Sequence, residues 1–452
     1  MRAVHGAHVS IVGAARSGVA AALLLAGAGA RVFLTDRDDV DAERRTVLGE
    51  AGVELEAGGH TPSALEADWL VISPGVPDSA PLIRDALGRG LPVYSEIEVA
   101  SWFCRAPIVA VTGSNGKTTT TSLLGYLFRH AGRSVHVAGN IGHPFSDVAA
   151  QARPEDVVVL EISSFQLDHI DTFRPRVAVL LNITPDHLDR YGYRFEAYAE
   201  SKFRLFENLD EGDALVFNHD DPLVRSRVDQ VPSSRRFARL PCSQEEELAV
   251  GAYTRGPHLV LRNRQEEIVL MEKGELALPG RHNVYNSLAA AMAARAMEVT
   301  PERIRESLAS FEGVPHRLEF VREFEGVHYV NDSKATNVNA VWYALESMVR
   351  PVVLIAGGRD KGNDYGSIRD LVKEKVRAVV AIGESAETVL RELGAIVPSS
   401  LRAGSMADAV DQARRLAHPG DTVLLSPACA SFDMFKNYEE RGDLFRAHVM
   451  GL

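Results

Sequence analysis

A chain of 452 residues is too long for one hydrophobic core, because cores stop growing at roughly 250–300 residues, so two or three domains are expected. Hydrophobic residues at 46% and charged residues at 24% exclude a disordered or fibrous chain. A formal net charge of −12 argues against nucleic-acid binding, which needs a basic surface to displace phosphate counterions, but leaves local sites for small anions possible.

Cys104, Cys242 and Cys429 lie far apart, with neither CxxC spacing nor the density of a disulfide scaffold, which fits a reducing cytoplasm. The opening segment MRAVHGAHVSIVG lacks the pattern of an export signal. The longest apolar stretch, 19–30, is too short to span a bilayer and reads as a buried helix, so no membrane insertion is expected.

In chain order, the first region alternates strands over 8–12, 31–35, 69–73 and 92–94 with helical sequence over 17–28, the pattern of a parallel sheet covered by helices. A strand over 108–112 opens a second α/β unit with a helix from 117 to about 130, continued by strands over 157–162 and 177–183. From 211 to 279 the pattern weakens into short alternating runs that read as a small antiparallel excursion without legible function. Helices over 283–297 and 301–310 follow, and after Gly313 the alternation restarts with strands over 327–330, 352–356, 378–382 and 422–425. The fold class is therefore α/β, with boundaries expected near Glu96 and Gly313: 1–96, 97–312 and 313–452.

TGSNGKTT at 112–119 carries the clearest chemistry. A strand ending in a glycine turn that opens a helix points several NH groups and the helix N-terminus at one spot, which suits phosphate. Gly113, Ser114, Asn115 and Gly116 would form the turn, Lys117 would reach the outer phosphates, and Thr118, followed by Thr119, would offer a hydroxyl to Mg2+. The loop is a variant: two residues rather than four separate its glycines, and Val111 stands where the first glycine usually falls. The bland alternative is a tight turn, but strand, glycines, Gly-Lys-Thr and helix together favour ATP.

IVGAARSG resembles a dinucleotide fingerprint through Gly13 and Gly18, although Ala15 replaces the middle glycine, and Asp36 ends the next strand at the distance expected for a ribose or base contact. A purely structural βαβ turn is the alternative; a second nucleotide here suggests a nucleotide-carrying substrate. LEISSFQL puts Glu161, and NITPDHLDRY puts His187, after strand ends where parallel sheets bind ligands. Glu161 suits Mg2+ as an oxygen donor, whereas a lone histidine before a helix is more often a capping or packing residue. Lys202, on the helix containing YAESKF, reads by default as a solvated charge. In HYVNDSKATN, capping explains Ser333, Thr336 or Asn337 but not Lys334, a cation suited to a carboxylate ligand. With GGRDKGNDY and SPACASFDMFKNYEERG, three polar loops after strands suggest a site.

Taken in order, TGSNGKTT, LEISSFQL, NITPDHLDRY, HNVYN, PHR, NDSKATN, GGRDKG and SPACASFDMFKNYEERG resemble the Mur ligase family over essentially the whole chain. SSFQL, NDSKATN and SPACASFD are similar to the member that adds D-glutamate rather than those that add L-alanine, a diamino acid or the terminal dipeptide. The resemblance implies three domains: an N-terminal Rossmann-like one for the UDP of the substrate, a central ATPase and a C-terminal Rossmann-like one for the amino acid. It implies a cytoplasmic, monomeric ligase of peptidoglycan precursor synthesis, with ATP, UDP-N-acetylmuramoyl-L-alanine and D-glutamate as substrates.

By position, the UDP substrate would meet Arg16, Ser17, Asp36, Thr35 or Arg37, and Gly75, then Asn140 and His187. Asn283 or Asn286, Arg317 and Asp332 would lie near the adenosine of ATP, whose phosphates sit on 113–119. Two Mg2+ ions are implied, one near Thr118 and Glu161, the other near His187 and a carbamylated Lys202; carbamylation turns a cation into a carboxylate-like oxygen donor. Lys117, His187 and Lys202 would form the catalytic set, and D-glutamate would be held by Lys334, Thr336, Ser431 and Phe432, with Lys361 and Tyr438 nearby.

Three competing readings make different demands. A folylpolyglutamate synthetase would not need the N-terminal domain or NDSKATN. A nucleotide-gated binding module would hydrolyse ATP without ligation. A dehydrogenase would bind NAD at Gly13–Gly18, which Ala15 and the separate phosphate loop oppose.

Overall fold

A computed structural model describes residues 4–360 and 362–452. Two compact units result: one runs to Leu276 and includes Tyr285–Phe311, the other comprises Ala277–Val284 and Glu312–Leu452. Among the described residues the strands form three principal sheets, two in the first unit and one in the second.

The first sheet is parallel, ordered Glu54–Ala57, Arg31–Asp36, His8–Val12, Trp69–Ile72, Val93–Ser95. The turn from His8–Val12 into helix Arg16–Gly27 is tight enough that a Cβ on Gly18 would lie 1.8 Å from the Gly13 carbonyl oxygen. That steric demand accounts for the second glycine of IVGAARSG without any ligand.

The second sheet is ordered Glu267–Glu272, His258–Arg262, Gly251–Arg255, Ala238–Ser243, Ala214–Asn218, Val177–Leu180, Ile108–Thr112, Val157–Glu161, Val135–Gly139. Its inner strands are almost wholly buried, as expected for a sheet covered on both faces. The antiparallel excursion expected over 211–279 proves narrower: only Gly251–Arg255, His258–Arg262 and Glu267–Glu272 pair antiparallel, whereas Ala214–Asn218 and Ala238–Ser243 extend the parallel sheet. Helix Pro222–Asp229 makes that parallel crossover.

Helix Glu96–Ser101 leads from the first sheet to the second, and Glu98 on it has no exposed surface. Its carboxylate accepts hydrogen bonds from Trp102 Nε1 (2.8 Å), Asp171 N (2.9 Å), Thr172 N (2.9 Å), Thr172 Oγ1 (2.5 Å) and Phe173 N (2.7 Å). Burial alone would raise the carboxyl's pKa, but these donors outweigh it and hold it below the ordinary range. Its stabilisation is therefore fully present above the unfolded value, about 4.3, and is lost as pH falls through the folded one. Glu98→Gln, which replaces an accepting oxygen with a donor facing donors, is expected to cost about 2–4 kcal/mol, read as a lowered urea midpoint at pH 7. The loss should shrink toward pH 3.

The sheet of the second unit is ordered Glu319–Phe324, Val327–Asn331, Thr422–Leu425, Val352–Ala356, Val376–Ile382, Ser399–Ala403, antiparallel only at its first pair. Among the described residues no helix is long and apolar enough to cross a membrane.

Candidate active site

The phosphate loop follows strand Ile108–Thr112 and ends at Gly116, which caps helix Lys117–His130 from a left-handed conformation (φ 84°). A Cβ on Gly116 would lie 2.4 Å from Asn286 Oδ1, and one on Gly113 would lie 3.0 Å from Leu181 Cβ. Asn286 therefore faces the loop.

The segment after strand Val177–Leu180 clamps the loop. Asn182 Oδ1 accepts from Asn115 N (2.9 Å) while its Nδ2 donates to Asn115 O (3.0 Å). Ser114 N donates to Asn182 O (2.8 Å), and Ser114 Oγ donates to Thr184 O (2.7 Å) and sits 2.9 Å from Tyr198 Oη. Thr118 and Thr119 lie buried in the first helical turn.

Two lysines converge on this loop. Lys117 Nζ donates to Gly113 O (2.8 Å) and Ser114 O (2.9 Å), and Lys202 Nζ donates to the same Gly113 O (2.9 Å). The solvated reading of Lys202 is overturned: the side chain is 1% exposed, and its amine lies over the Tyr198 ring, 4.8 Å from the centroid. Helix Phe195–Phe203 places Tyr198 and Lys202 four residues apart on one face. Burial first, then the Lys117 charge, hold the Lys202 amine well below the usual range, opposed by Asp186, Asp168 and Glu161.

Glu161 ends its strand in register with Val111, immediately beside the loop. Its Oε1 accepts from Asn140 Nδ2 (2.8 Å), and Oε2 is buried without a hydrogen-bond partner. Among the described residues no group of three or more His, Cys, Asp or Glu side chains forms a metal cage. Mg2+ needs none, since it keeps most of its water and takes one or two protein oxygens. A half-satisfied buried carboxylate beside a phosphate loop fits that ion. His187 stands in a left-handed conformation (φ 50°), with its backbone NH donating to Asp186 Oδ1 (2.9 Å) and its imidazole 3.8 Å from Asp186 Oδ2.

At the first sheet, Asp36 receives Ala14 N (2.5 Å) and Asp38 N (2.9 Å). The Thr35 hydroxyl is buried among Glu56 (2.7 Å), His60 (2.8 Å) and Gly59; Arg37 is exposed. Arg16 is exposed and reaches Gly142 O (3.2 Å), next to Ser17 in the first helical turn. Gly75 has open space around it.

In the second unit, Asp332 accepts from Ser426 Oγ (2.8 Å) and Leu318 N (3.2 Å), and burial pushes its carboxyl up to about 7 despite the nearby Arg317. Arg317 keeps a buried Nε without a partner. Asn283 Nδ2 donates to Pro279 O (2.8 Å). Lys334 Nζ donates to Tyr438 Oη (3.2 Å), and Ser333 Oγ donates to Tyr438 O (2.8 Å). Arg441, fully buried, binds Ser333 O (2.8 Å), Ser333 Oγ (3.0 Å) and Cys429 O (3.1 Å), tying the NDSKATN loop to SPACAS. Ser431 is buried, its carbonyl accepting from Phe435 N (2.9 Å); Phe432 is exposed and Thr336 half-buried. Lys361 lies outside the described residues.

Asn182, Tyr198 and Arg441 were not singled out from sequence, although each lies in or near a quoted segment. The helical spacing of Tyr198 to Lys202 is the one signal that linked a missed residue to a named one.

Three α/β domains, a variant phosphate loop and lysines crowding one carbonyl define an ATP-binding protein of ligase-like build. Family models agree with this: the Mur ligase middle domain matches residues 111–294, the Mur ligase glutamate ligase domain 316–429, and the MurD N-terminal domain 8–81. The chain is 60% identical over 99% of its length to a UDP-N-acetylmuramoylalanine--D-glutamate ligase from Salinibacter ruber, 98% of which is covered. It is 47% identical, over 99% of both chains, to the ligase of that name from Chloroherpeton thalassium. Among solved structures, a pseudomurein peptide ligase type C from Methanothermus fervidus shares the fold at 21% identity, with a TM-score of 0.60 over 99% of this chain and all of that one. The chain belongs to the Mur ligase family.

Proposed function

We propose that this protein joins D-glutamate to UDP-N-acetylmuramoyl-L-alanine at the expense of ATP, a step of peptidoglycan precursor synthesis. The observation that carries the chemistry is the pair of amines on Gly113 O, one from Lys117 at the phosphate loop and one from buried Lys202. The substrate carboxylate attacks the γ-phosphate, giving an acyl phosphate and ADP, and the D-glutamate amine then attacks that carbonyl, breaking the acyl–phosphate bond to release inorganic phosphate and a proton as the amide forms. Phosphoryl transfer asks mainly for alignment and charge neutralisation. The loop NH groups hold the phosphates, and Lys117 turns from Gly113 O toward the transferred group.

Mg2+, when bound, would neutralise charge on the phosphate oxygens. Thr118 and Glu161 would hold one ion; His187 and Lys202, as its carbamate, would hold a second. The depressed basicity of Lys202 supports that modification, because only a neutral amine adds CO2. Arg16, Ser17, Asp36, Thr35 or Arg37, Gly75, Asn140 and His187 would hold the UDP substrate. Asn283, Asn286, Arg317 and Asp332 would take the adenosine, and Lys334, Thr336, Ser431, Phe432, Tyr438 and Lys361 the D-glutamate. Domain limits of 1–96, 97–312 and 313–452, a monomer and a cytoplasmic location complete the reading, the last in keeping with three unpaired cysteines.

Phosphate release from ATP with UDP-N-acetylmuramoyl-L-alanine tests it, comparing D-glutamate, L-glutamate, L-alanine and meso-diaminopimelate. Release with D-glutamate alone is expected; release with another amino acid would overturn the choice of substrate, and release with none the ligase itself.

A further inference from the structure

The loop after His187 contains three left-handed positions, His187, Gly192 and Tyr193, so a stretch of backbone at the candidate site holds conformations that non-glycine residues adopt at a cost. Such conformations persist only where the surroundings over-determine them. Arg190, within this loop, reaches across to the other sheet's domain: its Nη1 donates to Pro74 O (2.8 Å), in the segment between Ser73 and Gly75. Ser73 Oγ in turn donates to Gly13 O (2.8 Å) in the turn that opens the first helix. The Arg190 guanidinium lies over the Phe165 ring, 4.6 Å from its centroid, and the His187 ring packs perpendicular to the same ring with centroids 5.9 Å apart. Arg190, Phe165 and Ser73 line a cleft of about 450 Å³ with Asp78, Asp168 and Tyr191.

We infer that Arg190, braced on Phe165, is a positioning residue that couples the Pro74–Gly75 segment contacting the UDP substrate to the loop that carries His187. The inference rests on the functional reading above. A planar guanidinium can donate in its plane to Pro74 O while covering the Phe165 ring; a lysine ammonium is a smaller, more strongly hydrated point charge that matches this planar fit less well. Losing the coupling misplaces the acyl end of the UDP substrate without touching the phosphate loop.

The test is steady-state kinetics of the full-length enzyme with both substrates varied. Arg190→Gln and Arg190→Lys are each expected to raise KM for UDP-N-acetylmuramoyl-L-alanine about tenfold, with KM for ATP within about twofold of wild type. Phe165→Leu should act in the same direction, and the Arg190→Gln/Phe165→Leu double variant should be no worse than Arg190→Gln, because the two groups act as one unit. Full rescue by lysine, a parallel rise in both KM values, or multiplicative effects in the double variant would overturn the coupling. An active wild type with unmoved KM in Arg190→Gln sinks this inference alone; a wild type inactive with D-glutamate sinks the functional reading and the inference with it.

Discussion

Lys202→Ala is expected to lower D-glutamate-dependent phosphate release by about 10³-fold or more, with partial recovery on adding formate. The side chain is buried, bonded to Gly113 O and crowded by Lys117, so the unmodified ammonium has little reason to be there. A carbamate on Lys202 would reverse the sign of the local charge, attract rather than repel Lys117, and supply oxygen to a cation. Truncation leaves a cavity lined by Gly113 O and the Tyr198 ring, into which a small carboxylate fits. The sign with pH follows: acid converts the neutral amine to ammonium, so wild-type activity should fall on the acid side and recover more slowly in CO2-depleted buffer. Full activity of Lys202→Ala, or recovery with chloride as good as with formate, would count against a carboxylate-like Lys202.

Lys117→Met should reduce kcat by about 10²–10³-fold with a smaller change in KM for the UDP substrate, because methionine keeps the stem and removes the charge aimed at the phosphates. The folded structure should survive. The Lys117 amine donates to carbonyls of its own loop, whereas the Asn115–Asn182 pair and the Ser114–Thr184 bond hold the turn independently. A thermal midpoint near that of wild type with kcat collapsed is the expected pattern; equal loss of both would make Lys117 a structural residue.

The strands that could be read directly from sequence are those whose side chains are almost all buried, such as Val157–Glu161 and Val352–Ala356. Those that escaped are mostly the sheet edges: Glu54–Ala57, Val135–Gly139, Glu319–Phe324 and Ser399–Ala403 show few buried residues and so lack an apolar run. Ala214–Asn218, though interior, was obscured because the next strand contains Pro241 and the crossover helix Pro222–Asp229 is rich in charge. The phosphate loop was legible because its chemistry is local, with glycine, lysine and threonine adjacent in the chain. Lys202 was legible only through family resemblance, since its burial depends on Gly113, 89 residues away. The clamp by Asn182 and the tether by Arg441 are likewise invisible to spacing, because each acts on main-chain atoms of a distant segment.

The hairpin that closes the second sheet leaves Glu267–Glu272 as its outermost strand, with Val269 more than half exposed. An open β-edge is a template on which another chain can stack. Here that rim begins and ends with glutamate, and Lys273 follows at once. A second copy adding alongside would bring carboxylates near carboxylates and strip water from them, so the fringe that enlarges the ATPase sheet also carries its own guard against self-assembly.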